Sequence, residues 1–146
     1  MNADQIYVLD ASVAAKWVLP TQDEPLAAEA ARLYDDYQKG DISFIVPDLF
    51  WAELGNALWN AVRRKRITRE VAEKALSFLQ ARNLPTVPSP PLLGTALALA
   101  ITCGRTVYDC VYVSLAASSS AELITADERL ANALSAHLPV KWLGAM

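Results

Sequence analysis

Histidine and cysteine are scarce in this chain: 146 residues hold one histidine, His137, and two cysteines, Cys103 and Cys110. One histidine argues against a histidine-based triad and a multi-histidine metal site. Two cysteines cannot build a disulfide framework or a zinc site; they suit a reducing compartment and read as small hydrophobes. His137, beside Pro139, reads as a surface residue. Basic charge is not in excess either: 13 Lys and Arg stand against 16 Asp and Glu, a net charge of −3. A broad basic surface for nucleic acid is therefore excluded, and any polyanion site must be local. A run long enough to span a bilayer is missing too, because the uncharged stretch from Asn83 to Gly104 carries Pro85, Pro88, Pro90 and Pro91. The start, MNADQIYVLDASVAAKW, has no basic segment and is interrupted by Asp4 and Asp10, unlike a targeting signal. The expectation is a cytoplasmic protein without membrane association.

What is present is hydrophobic: 53% of residues, with 20% charged, mark a well-buried globular chain. Its length fits a single domain over residues 1–146. Short apolar runs at Ile6–Leu9, Ser43–Val46, Glu122–Thr125 and Val140–Leu143, with a weaker one at Leu84–Val87, predict four to five strands covered on both faces. Helical spacing appears at Leu26–Tyr37, at Phe50–Ala61, and at Val71–Leu79, opened by Thr68 as N-cap. Leu92–Cys103 and Val107–Ala117 are apolar nearly all round, which predicts buried helices. Strands alternating with helices indicate a three-layer α/β/α domain with a mainly parallel sheet and right-handed crossovers.

With so little histidine, carboxylates must carry any catalysis. Ligands of a parallel open sheet bind beyond the carboxyl ends of its strands. Asp10 closes the first predicted strand, and Asp127 follows the strand ELIT by one residue. Glu53 lies in PDLFWAELGNAL, at the border of an apolar stripe, and Asp109 interrupts TVYDCVYVSLA. Four converging carboxylates repel one another and lose hydration, and a fold keeps such a group when it holds a hard cation. Mg²⁺ or Mn²⁺ takes oxygen ligands, keeps several waters, and needs no histidine. Each acid also has a local reading. Asp10 with Ala11 and Ser12 can be a strand end and an N-cap, Thr106–Asp109 and Thr125–Glu128 both match a capping box, and Glu53 can be a helix-border acid.

The segments VLDASVAAKW, PDLFWAELGNAL, TVYDCVYVSLA and ELITADERLANAL, in this order and spacing, resemble the PIN-domain family, most closely the VapC-type ribonuclease toxins of toxin–antitoxin systems. The resemblance implies a metal-dependent endoribonuclease with Mg²⁺ or Mn²⁺ as cofactor. It places the family's acidic quartet on Asp10, Glu53, Asp109 and Asp127. Asp10 and Asp109 are then the first metal ligands, Asp127 completes the metal shell, and Glu53 binds a second ion or orients the attacking water. The family's hydroxyl and amide positions fall on Ser12, Thr125 and Asn56. Ser12 and Thr125 would hydrogen-bond ligands or phosphate, with N-capping the competing role for both, and Asn56 would support the metal ligands from behind. The resemblance also implies an RNA substrate, a cognate antitoxin and a homodimer.

The basic run Arg63, Arg64, Lys65 and Arg66 is one candidate RNA contact and Lys16 another; a solvated helix C-terminus is the competing reading of the run. Tyr108 is either a ring stacked on a base or a buried ring beside Asp109, the latter the favoured reading. Trp51 and Trp59 face a partner or pack within the chain. A PIN-like module that binds RNA or protein without cleaving, and an RNA-processing nuclease outside a toxin system, are the alternative functions.

Overall fold

Five short strands form because their apolar side chains are covered on both sides of a parallel sheet. They are β1 (Gln5–Leu9), β2 (Ile42–Pro47), β3 (Thr86–Val87), β4 (Glu122–Thr125) and β5 (Val140–Trp142), in the order β3-β2-β1-β4-β5. Every pairing is parallel, with Tyr7 opposite Phe44, Val8 opposite Leu123 and Thr125 opposite Trp142 in register. The computed structural model describes residues 5–146, so Asp4 and the start of the chain lie outside the described residues.

Among the described residues seven α-helices connect the strands: α1 (Ala11–Val18), α2 (Ala27–Lys39), α3 (Leu49–Arg63), α4 (Arg69–Gln80), α5 (Leu93–Cys103), α6 (Val107–Ser118) and α7 (Glu128–Leu134). Right-handed crossovers in this strand order put α1–α4 on one face and α5–α7 on the other. Helix α6 accordingly packs on β1, β2 and β4, and α1 packs on α3. The core lies between, with Val8, Leu9, Phe44, Phe50, Leu123 and Ile124 at 0–1% exposure. Thr68 caps α4 as its sequence predicts, accepting from Val71 N at 3.2 Å. Asp48, at the start of α3, accepts from the backbone and hydroxyl of Ser89 and ties the proline-rich segment to the sheet edge.

One sequence expectation is corrected here. Helix α6 is buried as predicted, but α5 is not: Leu97 is 53% and Ile101 76% exposed, with Leu93 beside them. Only Ala96 of α5 is fully buried, because α6 fills the space between α5 and the sheet. Trp51 packs within the chain, donating to Thr86 Oγ1 at 3.1 Å, whereas Trp59 is 57% exposed. Cys110 is buried and Cys103 half-buried, both as free thiols, and His137 is exposed. No single helix among the described residues is long and apolar enough to cross a membrane.

Candidate functional site

The chain leaves β1 for β2 in one direction and reaches β4 on the other side, so the switch point of the sheet lies between β1 and β4. A crevice opens there at the strands' carboxyl ends. Asp10 and Asp127 both stand at it. Asp10 is the N-cap of α1; its Oδ1 accepts from Ser12 N at a long 3.5 Å and its Oδ2 from Thr125 Oγ1 at 2.7 Å. The backbone N–H of Asp10 also bonds Ile124 O at 3.1 Å, which fixes the end of β1 against β4.

Thr125 is fully buried, and its hydroxyl also accepts from Asp127 N at 3.0 Å. It is therefore not an N-cap. Asp127 caps α7, accepting from Leu130 N at 3.1 Å. Ser12 does not cap either: it lies inside α1 and accepts from Ala126 N at 3.1 Å, across the gap between β1 and β4. The two hydroxyls thus stitch the Asp10 turn to the Asp127 turn.

Glu53 and Asn56 project from α3 into a cleft of roughly 520 Å³ that also contains Asp10, Ser12, Asn60 and Tyr108. Glu53, Asn56 and Asn60 follow one another at helical spacing, so one face of α3 supplies one acid and two amides. Glu53 Oε1 accepts from Tyr112 Oη at 2.6 Å. Tyr112 sits on α6, where a buried phenol needs an acceptor. The charges of Asp10 and Glu53 and its own burial hold its proton firmly in place. Tyr108 is 68% exposed and lines the cleft, which overturns the expectation of a buried ring.

Asp109 lies in the first turn of α6. Thr106 Oγ1 accepts from its backbone N–H at 3.1 Å, so Thr106 is the N-cap of α6, and its hydroxyl also favours the charged form of the Asp109 carboxylate. That carboxylate meets Arg105: Nη2 lies 3.6 Å from Asp109 Oδ2 and 3.7 Å from Asp127 Oδ2. Arg105 and Tyr112 both escape a reading of the sequence for acids. The four-residue step from Arg105 to Asp109 was the available signal for the first.

The acids share one field. Burial raises the pKa of Asp10 above its ordinary range against hydrogen bonds from Thr125 and Ser12, and the charge of Asp109 adds to it. Burial likewise raises Glu53 against the Tyr112 hydrogen bond, with the charges of Asp10 and Asp109 adding. Burial raises Asp109 too, partly offset by Arg105, and Asp127 pushes the same way as burial. A group of carboxylates held at such cost is matched by a divalent cation. Among the described residues no three acids close into a cage as they stand. An Mg²⁺ site does not need one, since one or two carboxylates, water and substrate phosphate usually suffice.

The basic candidates separate. Lys16 Nζ bonds Glu24 Oε2 at 2.8 Å and Pro25 O at 2.6 Å, and Arg66 bonds Glu24 Oε1 at 2.9 Å. Both are engaged within the chain. Arg63 stacks on Trp59 at 5.0 Å and bonds Asn60 Oδ1 at 3.0 Å. Arg64, the C-cap of α3, and Lys65, which follows it with a left-handed backbone, are exposed just beyond the helix.

The PIN domain family pattern matches residues 7–133. Ribonuclease VapC3 of Pyrobaculum aerophilum is 30% identical over 126 residues, covering 85% of this chain and 91% of that protein. The crystal structure of PAE2754, also from Pyrobaculum aerophilum, superposes with a TM-score of 0.69 at 28% identity, covering 97% of this chain and 85% of that one. VapBC2 of Rickettsia felis, solved bound to a DNA fragment from its promoter, shares the fold with a TM-score of 0.61 at 14% identity, over 94% of this chain and 98% of that one. With its parallel sheet, its acidic switch point and these relatives, the chain belongs to the PIN-domain family.

Proposed function

We propose that the protein is a divalent-metal-dependent endoribonuclease, the toxin of a toxin–antitoxin pair in the cytoplasm, folded as one PIN domain over residues 1–146. The observation that supports this most is that Asp10 and Glu53 line one cleft at the switch point of a parallel sheet, with Asp109 near enough for its charge to act on both. The relative named Ribonuclease VapC3 supports the same reaction class.

Asp10 and Asp109 would hold Mg²⁺ or Mn²⁺, with Asp127 completing the shell directly or through water. When bound, the ion supplies a water of lowered pKa and neutralises charge on the scissile phosphate. Glu53, half-buried and bonded to Tyr112, orients the attacking water and accepts its proton. Ser12 and Thr125 hold the two ligand turns at a fixed separation. Asn56 and Asn60 offer amide donors to the RNA backbone, Tyr108 an exposed face for a base, and Arg64 and Lys65 positive charge further along α3. The VapC resemblance adds two protein partners, a cognate antitoxin and a second copy of the chain.

The test is cleavage of total cellular RNA with Mg²⁺, with Mn²⁺ and with EDTA, for wild type, Asp10→Asn and Asp109→Asn. Cleavage restricted to wild type with metal is expected. Full cleavage by either variant at equal metal overturns the mechanism, and RNA binding without cleavage under any condition turns the reading to a binding module.

A further inference from the structure

Arg105 stands between two acids from different parts of the chain. Its Nη2 is 3.6 Å from Asp109 on α6 and 3.7 Å from Asp127 before α7. Both distances exceed the 2.7–3.2 Å of an N–H···O hydrogen bond. The guanidinium is therefore held by charge and not by the two-pronged hydrogen bonding that makes arginine–carboxylate pairs firm. Its Nε is buried and has no acceptor among the described residues. A buried N–H without an acceptor costs free energy that is recovered when the guanidinium moves into water. The side chain is also one-quarter exposed, so a path away from the acids is open.

We propose that Arg105 is the internal counter-cation of the acidic cleft: it neutralises Asp109 and Asp127 in the metal-free protein and competes with the divalent ion for them. The inference rests on the metal reading above and adds a regulation to it. Without the guanidinium, Asp109 and Asp127 face each other with no neutralising charge, and the metal-free fold carries their repulsion. With it, an arriving ion must displace a positive charge. A unit charge about 6 Å from a divalent ion in water-like surroundings opposes binding by about tenfold. The site is thereby tuned to lower affinity and to a metal-free state that stays folded.

The experiment measures Mn²⁺ binding calorimetrically, beside thermal melts with EDTA and with Mn²⁺, for wild type, Arg105→Gln and Arg105→Lys. Arg105→Gln is expected to bind Mn²⁺ about tenfold more tightly, to melt lower than wild type in EDTA, and to gain more from Mn²⁺ than wild type does. Arg105→Lys keeps the charge but reaches one acid at a time, so its affinity falls between the two. Equal or weaker Mn²⁺ binding by Arg105→Gln overturns the proposal. So does an equal loss of melting temperature with and without metal, which is what a purely structural arginine produces. If Arg105→Gln does not fold, an Arg105→Lys affinity equal to or below that of wild type overturns it alone. Absence of Mn²⁺ binding to wild type overturns both this proposal and the metal reading, whereas binding that the variants leave unchanged overturns this one only.

Discussion

Tyr112 donates its hydroxyl to Glu53 across 2.6 Å, joining α6 to α3 beside the acidic cleft. The bond favours the ionised form of Glu53 against the burial that disfavours it. Tyr112→Phe removes the bond and keeps the ring. The acid limb of the cleavage profile should then move to higher pH, because Glu53 takes up its proton more readily. Stability should fall by about 1.5–3 kcal/mol, as for a lost hydrogen bond to a charged group. A pH–rate profile and a denaturant titration of the variant check both effects; an unmoved acid limb removes Glu53 from the role of base.

Asp10 has a carboxyl pKa raised above its ordinary 3.8. A raised pKa contributes stability below the unfolded value and loses it as pH rises through the folded value. The charged form therefore strains the metal-free protein at neutral pH. Asp10→Asn, which still caps α1, should melt higher than wild type in EDTA at pH 7. The gap should close as the pH is lowered and the wild-type carboxyl takes up its proton. Metal should stabilise wild type by mass action and the variant far less. Melting curves across pH, with and without Mn²⁺, report the sign directly.

Thr125 serves two partners at once, Asp10 Oδ2 and Asp127 N. Thr125→Val keeps the shape and strands both, which should destabilise the fold by about 1–3 kcal/mol and weaken Mn²⁺ binding. Thr125→Ser should restore most of the affinity. Calorimetry on the pair separates the loss of the hydroxyl from the loss of the methyl group.

Arg64 and Lys65 are exposed and, unlike Arg63 and Arg66, make no side-chain hydrogen bond among the described residues. Their double replacement by alanine should lower RNA affinity and reduce the slope of log K on log salt by about 0.7 for each phosphate no longer neutralised. Arg66→Ala should instead break the Glu24 ion pair and leave the slope unchanged. Anisotropy titrations on the Asp10→Asn background, over a range of salt, distinguish the two.

The sheet and its acids were legible for one reason. A strand covered on both faces must be apolar, so a carboxylate at its end stands out, as Asp10 and Asp127 do. Glu53 and Asp109 were legible as interruptions of apolar helices. The local capping reading is right for Asp10 and Thr106; in the second box Asp127 caps in place of Thr125, and Thr125 and Ser12 turn their hydroxyls to neighbouring segments. Such cross-chain bonds leave no periodic trace. Helix α5 misled for a related reason, since its composition does not say that α6 already occupies the layer against the sheet. The basic run was legible as charge, but only the fold revealed that Glu24 takes Arg66 and Lys16.

The hydrogen bond between Thr125 and Asp10 spans 115 positions of sequence. Strand β4, which carries Thr125, comes late in the chain, and β5 pairs with it later still. A growing polypeptide on the ribosome therefore carries Asp10, Ser12 and Glu53 well before it carries the residues that align them. On the proposed ribonuclease activity the protein is built beside the RNA that encodes it, and this order of synthesis withholds the aligned acids until β4 has emerged. Interrupted translation then yields fragments without the aligned acids.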